Sequence, residues 1–149
     1  MTPERDRLRL VLDTNVLVAA TRNRAGASNA LVDAALLGRF TWLGSVALFL
    51  EYEDVLSRPA SLSAAGWDRQ EAELFLTAAA RALEPVAMHY RWRPLSSDPG
   101  DEMVLDTAIN GRADMLVSFN KADLASISRF GIPLVPPSEA LGRLRLDHR

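Results

Sequence analysis

A single carboxylate near the start of the chain raises the first chemical question. Asp13 directly follows the apolar run Leu10, Val11 and Leu12, so an acid stands where a buried segment ends. Isolated burial of a carboxylate costs several kcal/mol or shifts its pKa, because water no longer stabilises the charge. Asp13 therefore needs a partner that other parts of the chain must supply.

Asp101 is a second acid whose position suggests chemistry. It lies near the start of a helix that is predicted to end near Gly111. At about 100° per residue, the apolar positions of this helix lie within roughly 80° of Asp101; they are Val104, Leu105, Ala108 and Ile109. We therefore expect Asp101 to point toward the sheet, whereas Glu102 and Asp106 lie off the apolar face and are expected to be solvated.

The start of the same helix has a purely structural alternative. In the stretch Asp98-Pro99-Gly100-Asp101, Asp98 suits the N-cap, Pro99 the first helical position and Asp101 the acid of a capping box. Capping is the favoured interpretation of Asp98. For Asp101, the position on the apolar face favours a functional role over capping.

A third acid belongs to the stretch LFLEYEDVL, residues 48–56. Its apolar positions share one helical face; they are Leu48, Phe49, Tyr52, Val55 and Leu56. Glu51 flanks this face on one side and Glu53 on the other. Helical phase alone does not choose between the two, and a solvated surface acid is an equally good interpretation of either.

The elements that would position these acids alternate between short apolar strands and helices. This pattern predicts an α/β domain with a mainly parallel sheet. The predicted strands are residues 7–12, 40–43, 86–92, 114–119 and 132–135. Ser28 is predicted to cap the second helix. Ligands of open parallel sheets bind beyond the carboxyl ends of the strands, where Asp13 and Asn120 both lie, so we expect these two residues to be close together.

An oxygen-only cluster of Asp13, Glu51, Asp101 and Asn120 would suit a hard metal ion. Two carboxylates about 4 Å apart repel by ~4 kcal/mol at an effective dielectric constant near 20. Three would stay ionised together only with a cation or with strongly shifted pKa values. Mg²⁺ and Mn²⁺ prefer such oxygen ligands, so the predicted cofactor is one of these ions.

Composition narrows the chemistry further. The chain has no cysteine, which excludes disulfides and thiolate metal sites, and His89 and His148 are its only histidines. The net charge is −2, so contact with nucleic acid would use a local basic patch. Arg22, Arg24 and Lys121 are candidates for that patch, although simple solvation is the commoner role of such side chains.

Length and hydropathy favour one domain that spans residues 1–149. A chain of 149 residues has the size of one domain and can bury a substantial core. The N-terminal stretch is charged and lacks the apolar segment of a signal peptide, and no run of about eighteen apolar residues occurs. We therefore expect a cytoplasmic protein without a membrane span.

Several of these segments, taken in order, resemble the PIN-domain family. They are LVLDTNVLVAA from Leu10, LFLEYEDVLSRP from Leu48, SDPGDEMVLDTAI from Ser97, ADMLVSFNKADL from Ala113 and the closing FGIPLVPPSEAL from Phe130. The most similar group is the bacterial PIN proteins regarded as toxins of toxin–antitoxin pairs. The resemblance implies a three-layer α/β/α sandwich around a mainly parallel sheet and a metal-dependent ribonuclease activity.

The resemblance also implies which residues form the site. The first acid of the family falls on Asp13 and the second on Glu51, because the Tyr52 that follows is typical of this group. The third acid falls on Asp101, with Asp98 as a frequent companion in binding metal. Asp13 and Asp101 are residues that strand position and helical phase had already singled out.

The fourth acidic position of the family is usually Asp and is Asn120 here. Asp123 follows three residues later and is expected to compensate as a metal ligand. The replacement removes one negative charge, which weakens the case for a second metal ion. Asn15 also fits the family pattern, as a buried hydrogen-bonding residue near Asp13, with capping of the next helix as an equally good alternative.

The predicted reaction is hydrolysis of an RNA phosphodiester by metal-activated water. The alternative is a catalytically weak PIN fold that acts as an RNA- or protein-binding module, which the amide at position 120 favours. The apolar stretch 74–80 is a candidate surface for a homodimer or for an antitoxin protein. The three tryptophans are expected to pack in the core or an interface rather than to stack on bases; they are Trp42, Trp67 and Trp92.

Overall fold

The computed structural model describes residues 7–89 and 98–147, and within them a five-stranded sheet in which all neighbouring strands are parallel. The strands are β1 Arg9–Leu12, β2 Thr41–Gly44, β3 Glu84–Pro85, β4 Met115–Val117 and β5 Leu134–Val135. Their order across the sheet is β3-β2-β1-β4-β5. The central strand β1 is buried on both faces, as is usual for strands of a parallel sheet covered by helices on both sides.

Helices follow the strands and cover the sheet. The described helices are α1 Thr14–Arg22, α2 Ala27–Leu36, α3 Val46–Leu56, α4 Pro59–Ala65, α5 Arg69–Ala82, α6 Pro99–Asn110, α7 Lys121–Leu124 and α8 Pro137–Asp147, with a 3-10 helix over Ala125–Phe130. This arrangement confirms the predicted α/β fold with a parallel sheet. None of the helices within the described ranges combines the length and the apolar character that crossing a bilayer requires.

Three helices begin with a clear side-chain cap, and the cap predicted at Asp98 is confirmed. The Ser45 hydroxyl accepts a hydrogen bond from the Leu48 amide at 3.2 Å and begins α3. Asp68 and Glu71 form a reciprocal capping box at the start of α5. Asp98 caps α6 by accepting from the Gly100 amide at 2.7 Å. These local signals succeed because each depends on residues only a few positions apart.

One predicted strand and one predicted helix cap were wrong in position. The third strand is Glu84–Pro85 instead of 86–92, because pairing with Leu43 and Gly44 fixes its register; residues 90–92 lie outside the described ranges. Pro59 is the first residue of α4, the position in a helix where proline is most favoured. Ser28 does not cap α2, because Gly26 is the N-cap and Ser28 is buried in the first turn.

The core lies on both faces of the sheet, and two tryptophans pack as predicted. Trp42 is buried with its ring centroid 5.9 Å from that of Tyr52. Trp67 is partly buried, 5.5 Å from Phe75 by the same measure. Trp92 lies outside the described residues.

The strand order creates one position at which the chain changes direction across the sheet. From β1 the chain moves outward to β2 and β3, then crosses back to β4 on the other side of β1 and continues to β5. The carboxyl ends of β1 and β4 therefore border the switch point of the sheet. In open α/β sheets, the crevice at this point is where ligands bind.

Candidate active site

The two strands at the switch point remain paired to their ends. The Asp13 amide, immediately after β1, donates to the Val117 carbonyl at the end of β4 over 2.9 Å. Ser118 is the residue that follows Val117 at the end of β4. This backbone bond places the side chains of Asp13 and of the residues after β4 at the same edge of the sheet, as the sequence predicted for Asp13 and Asn120.

Ser118 is the centre of the hydrogen bonds at this edge. Its hydroxyl, which is fully buried, donates to Asp13 Oδ2 at 2.6 Å. It accepts hydrogen bonds from Asn15 Nδ2 at 3.3 Å and from the Asn120 amide at 2.9 Å. One hydroxyl has one donor and two acceptor positions, so these three bonds use its full capacity.

Asp13 is held on both carboxylate oxygens. Oδ1 accepts from the Thr14 amide at 2.8 Å, which makes Asp13 the N-cap of α1, and Oδ2 accepts from Ser118. Burial raises the pKa of Asp13 above its ordinary value, against the opposing effect of these two hydrogen bonds. Asn15 is therefore not the cap of this helix. Its other role was predicted correctly, because it is partly buried and bonds to Ser118 beside Asp13.

Glu51 reaches the same edge from α3. The Thr14 hydroxyl donates to Glu51 Oε2, and the Tyr52 hydroxyl donates to the Leu12 carbonyl at the end of β1. Burial raises the pKa of Tyr52, and the charges of Asp13 and Glu51 raise it further, so both carboxylates act on the same hydroxyl.

The structure thereby distinguishes the two glutamates that helical phase left open. Glu51 is partly buried and tied to Thr14. Glu53 is exposed and lines a groove between α3 and α5 instead. Of the two, Glu51 is the residue placed beside Asp13.

The start of α6 approaches Glu51. A methyl group placed on Gly100 would lie 3.5 Å from Glu51 Oε1 and 3.1 Å from Asp98 Oδ1. Asp98 is exposed and serves as the helix cap, and Asp101, the residue after Gly100, is partly buried. Three of the predicted segments therefore meet at one end of the sheet.

Two further acids of α6 were predicted wrongly. Glu102 is only 4% exposed and Asp106 only 1%, although both were expected to be solvated. The prediction assumed that only the sheet-facing side of α6 is covered. In the structure, α3 and the segment 121–130 also pack against this helix. The residues predicted for the apolar face, such as Val104 and Leu105, are buried as expected.

The side chains of Asn120 and Asp123, which follow β4, make fewer contacts with the other site residues than the family pattern suggested. Asn120 is partly buried, and its backbone amide bonds to Ser118, but its side chain forms no cap for α7. Asp123 is exposed, and within the described ranges no hydrogen bond links it to Asp13 or Glu51.

The donor chemistry of the site fits a hard divalent cation, because the side chains that the described residues gather around Asp13 and Glu51 offer carboxylate, hydroxyl and amide oxygens. The raised pKa of Asp13 shows that its hydrogen bonds do not fully compensate the buried charge. Nevertheless, among residues 7–89 and 98–147 no three acidic or histidine side chains are gathered closely enough to hold a metal ion. Asp13 and Glu51 are the pair that the structure brings together.

Sequence reasoning missed Thr14 and Ser118, which connect the carboxylates. A signal was present in both cases. Each is a small hydroxyl residue immediately after a buried strand or its terminal acid, where parallel strands bring side chains together. Only the register of β1 against β4 shows that Ser118 faces Asp13.

The sequence matches the PIN domain over residues 9–122, which is more than half of the chain. The protein therefore belongs to the PIN-domain family, as the resemblance of its segments indicated. PIN domains are generally nucleases and typically use divalent metal ions. No curated protein sequence matches this chain.

Proposed function

We propose that this protein is a Mg²⁺- or Mn²⁺-dependent endoribonuclease with its active site at the carboxyl ends of β1 and β4. The observation that carries the proposal is the link between Asp13 and Glu51 through Thr14, at the switch point of a PIN-domain sheet. Asp101 joins the proposed ligands because Gly100 brings the start of α6 against Glu51.

Within this proposal, Asp13, Glu51 and Asp101 hold the ion, with Asp98, Asn120 and Asp123 as nearby oxygen donors. When bound, the ion lowers the pKa of a water molecule and stabilises charge on the phosphate oxygens. The protein's own groups orient the ligands. Ser118 and the Thr14 amide fix the two oxygens of Asp13, and the Thr14 hydroxyl fixes Glu51.

Water is the proposed nucleophile, because the hydroxyl groups at the site are already engaged. Ser118 is fully buried and directs its proton to Asp13, and Thr14 is buried and directs its proton to Glu51. Neither hydroxyl is free to attack a phosphodiester. The chain also contains no cysteine that could form a covalent intermediate.

The test compares wild type with Asp13→Asn and with the matched control Asp33→Asn, which alters an exposed acid on α2. Cleavage of a single-stranded RNA is measured with Mn²⁺ and with EDTA. We expect the Asp13 variant to lose more than the roughly 10- to 100-fold typical of an outer-shell change, because a direct ligand is removed. An Asp13→Asn protein that cuts RNA as fast as wild type contradicts the proposal.

Thermal unfolding gives a second measure that does not depend on activity. A ligand that binds only the native state raises the unfolding temperature. Mn²⁺ is therefore expected to stabilise wild type and the Asp33→Asn control but not Asp13→Asn. Equal stabilisation of all three proteins would place metal binding elsewhere.

A binding module without catalysis is the second candidate function. It is favoured by the absence of three gathered acids among the described residues and by the amide at position 120. RNA binding that is unchanged by EDTA, without any Mn²⁺-dependent cleavage, would support this alternative over the nuclease.

The resemblance to bacterial toxins extends the proposal to a growth-inhibiting role with an antitoxin partner. The stretch 74–80 on α5 carries the exposed Leu74, and other residues of the stretch line the groove between α3 and α5, which suits a protein partner or a second copy of the chain. Expression in a bacterial host should arrest growth, and Asp13→Asn should relieve the arrest. Arrest by the Asp13→Asn protein would show that the effect is independent of cleavage.

A further inference from the structure

A pocket of about 240 Å³ opens at the same sheet edge, outside the acids of the proposed site. Its walls come from the start of α2 and from the residues that follow β4 and β5, including Asn23, Gly26, Ser28, Phe119, Pro136 and Pro137. The volume is below the roughly 300–1,000 Å³ of pockets for drug-sized ligands, so it suits one planar group and not a large molecule.

Phe119 gives this pocket an aromatic wall, and it directly follows Ser118, which bonds to Asp13. Its side chain is 54% exposed, although Ser118 before it is fully buried and bonds to Asp13. The Phe119 amide donates to Asn15 Oδ1 at 3.4 Å, which fixes the backbone.

The opposite wall is suited to a negatively charged or hydroxylated group. The ten-residue helix α2 begins there, with Gly26 as an N-cap that supplies no side-chain hydrogen bond and no acid in its first turn. The free amides of a helix start favour anions. Arg22 and Arg24, both exposed, flank Asn23 on the same loop.

Ser28 is an independent sign that this wall is built for a ligand. It is only 6% exposed and lines the pocket, yet its hydroxyl makes no hydrogen bond to any residue in the described part of the chain. The Ser28 oxygen is not among the sealed polar atoms that lack a partner in the described residues, so it faces the pocket opening, with room for one hydrogen-bond partner from outside the protein. A ligand in the pocket would supply that partner.

We propose that the pocket binds one nucleotide of a single-stranded RNA, with the base stacked on Phe119 and the ribose or phosphate against Ser28 and the start of α2. An exposed aromatic ring beside cations and a helix start is how proteins bind single strands, whereas an apolar peptide would gain nothing from the charges. The inference rests on the proposed function and specifies where one nucleotide of the substrate, outside the proposed metal ligands, is held.

The test measures RNA binding in EDTA, so that cleavage plays no part. A fluorescent single-stranded oligonucleotide is compared with a series in which one position at a time lacks its base. We expect Phe119→Ala to weaken binding roughly 5- to 150-fold, the range for one lost base stack, and Phe119→Trp to retain it. One abasic position should weaken binding to wild type by the same factor and have no effect on Phe119→Ala.

Ser28→Ala and Leu37→Ala complete the design. Ser28→Ala should weaken binding several-fold while leaving the unfolding temperature close to that of wild type, because its hydroxyl has no partner in the described protein to lose. Leu37 is 70% exposed and lines a different groove, between α2 and α8, so Leu37→Ala controls for loss of an exposed apolar side chain and should bind normally.

Two results would overturn the nucleotide site. One is RNA binding by Phe119→Ala equal to that of wild type, which is also the result expected if the pocket serves a protein partner. The other is an abasic penalty that is the same in both proteins. If wild type shows the expected abasic and Phe119→Ala binding losses but never cleaves RNA, the proposed nuclease activity is refuted and the nucleotide site stands. If wild type cleaves RNA normally and Phe119→Ala binds RNA as tightly as wild type, only the nucleotide site is refuted.

Discussion

At the scale of single residues, the position of the Asp13 carboxylate is fixed by the hydroxyl of Ser118, a residue that no sequence motif had indicated. Ser118 donates to Asp13 and accepts from both Asn15 and the Asn120 amide. Because all three bonds meet on one buried oxygen, the geometry of the acid depends on this residue. A buried hub of this kind is expected to be sensitive to small changes.

Ser118→Ala should destabilise the protein. The change removes the hydrogen-bond partner of the buried Asp13 Oδ2, of Asn15 Nδ2 and of the Asn120 amide. We expect the free energy of unfolding to fall by about 1–3 kcal/mol. Denaturant unfolding measures the effect. Ser128→Ala is the matched control, because Ser128 is exposed and bonds only to the nearby Ala125 carbonyl. An equally small loss in both variants would contradict the role of Ser118.

The raised pKa of Asp13 predicts a pH dependence of stability with a definite sign. Below its ordinary value of 3.8 the group is protonated in both states. Between 3.8 and the raised folded value, the native state binds more protons, so the free energy of unfolding falls as the pH rises. Asp13→Asn lacks this contribution. In EDTA, wild type should therefore lose stability relative to Asp13→Asn as the pH increases through this window.

Denaturant unfolding at several values between about pH 4 and pH 7 checks this difference. Asp33→Asn, which removes an exposed carboxylate, supplies the reference for a change in net charge alone. A wild-type curve that runs parallel to that of Asp13→Asn would show that burial of Asp13 is compensated in the native state.

At the scale of elements, the site depends on how α3 and α6 are fixed against β1. The Tyr52 hydroxyl ties α3 to the Leu12 carbonyl, and this bond places Glu51 at the strand end. Ser45 and Thr107 join α3 to α6 by a buried hydrogen bond of 2.8 Å. The two helices that supply acids are thus positioned by contacts that involve no acid.

Gly100 and Gly142 provide a matched pair of helical glycines. A methyl group at Gly142 in α8 would meet nothing within 4 Å, so Gly142→Ala should stabilise the protein by about 0.5–1 kcal/mol. A methyl group at Gly100 would crowd the Asp98 carboxylate at 3.1 Å and come into ordinary contact with the Glu51 carboxylate at 3.5 Å. Gly100→Ala is therefore expected to reduce Mn²⁺-dependent cleavage, while Gly142→Ala leaves it unchanged.

Denaturant unfolding and the cleavage assay together distinguish the two effects. Reduced cleavage in both variants would show that replacing a helical glycine lowers activity wherever the glycine lies, and not through contact with the acids of the site. Full activity of Gly100→Ala would show that the approach of α6 to Glu51 is not needed for the reaction.

At the scale of the whole molecule, strand order decides where a ligand can bind. The change of direction between β1 and β4 leaves a crevice at their carboxyl ends, and both the linked acids and the pocket beside Phe119 lie there. The net charge is only −2, so attraction of a polyanion depends on local cations such as Arg22 and Arg24.

The affinity for RNA should therefore fall as the salt concentration rises, and a few basic residues should account for most of this dependence. Each phosphate contact to a single strand contributes about 0.7 to the slope of log K against log salt concentration. Replacing Arg22 and Arg24 by glutamine should lower that slope by about 1.4 if each contacts one phosphate. Arg143→Gln is the control, since Arg143 is paired with Glu139 on α8. If the Arg22 and Arg24 double variant and the Arg143→Gln control give the same slope of log K against log salt concentration, phosphate contacts by Arg22 and Arg24 are excluded.

The sequence by itself determined the family, the fold class and the boundaries of well-capped elements, because those depend on local patterns such as Ser45 before α3 and Asp68 before α5. It also selected Asp13 and Glu51 as candidates. Only the tertiary structure decided that Thr14 and Ser118 connect these acids. It also placed Glu51, which the family resemblance favoured over Glu53, beside Asp13. It likewise showed that Asp106 is buried, contrary to helical phase. Strand register and the packing of several elements around one helix involve residues far apart in the chain, and no local pattern encodes them.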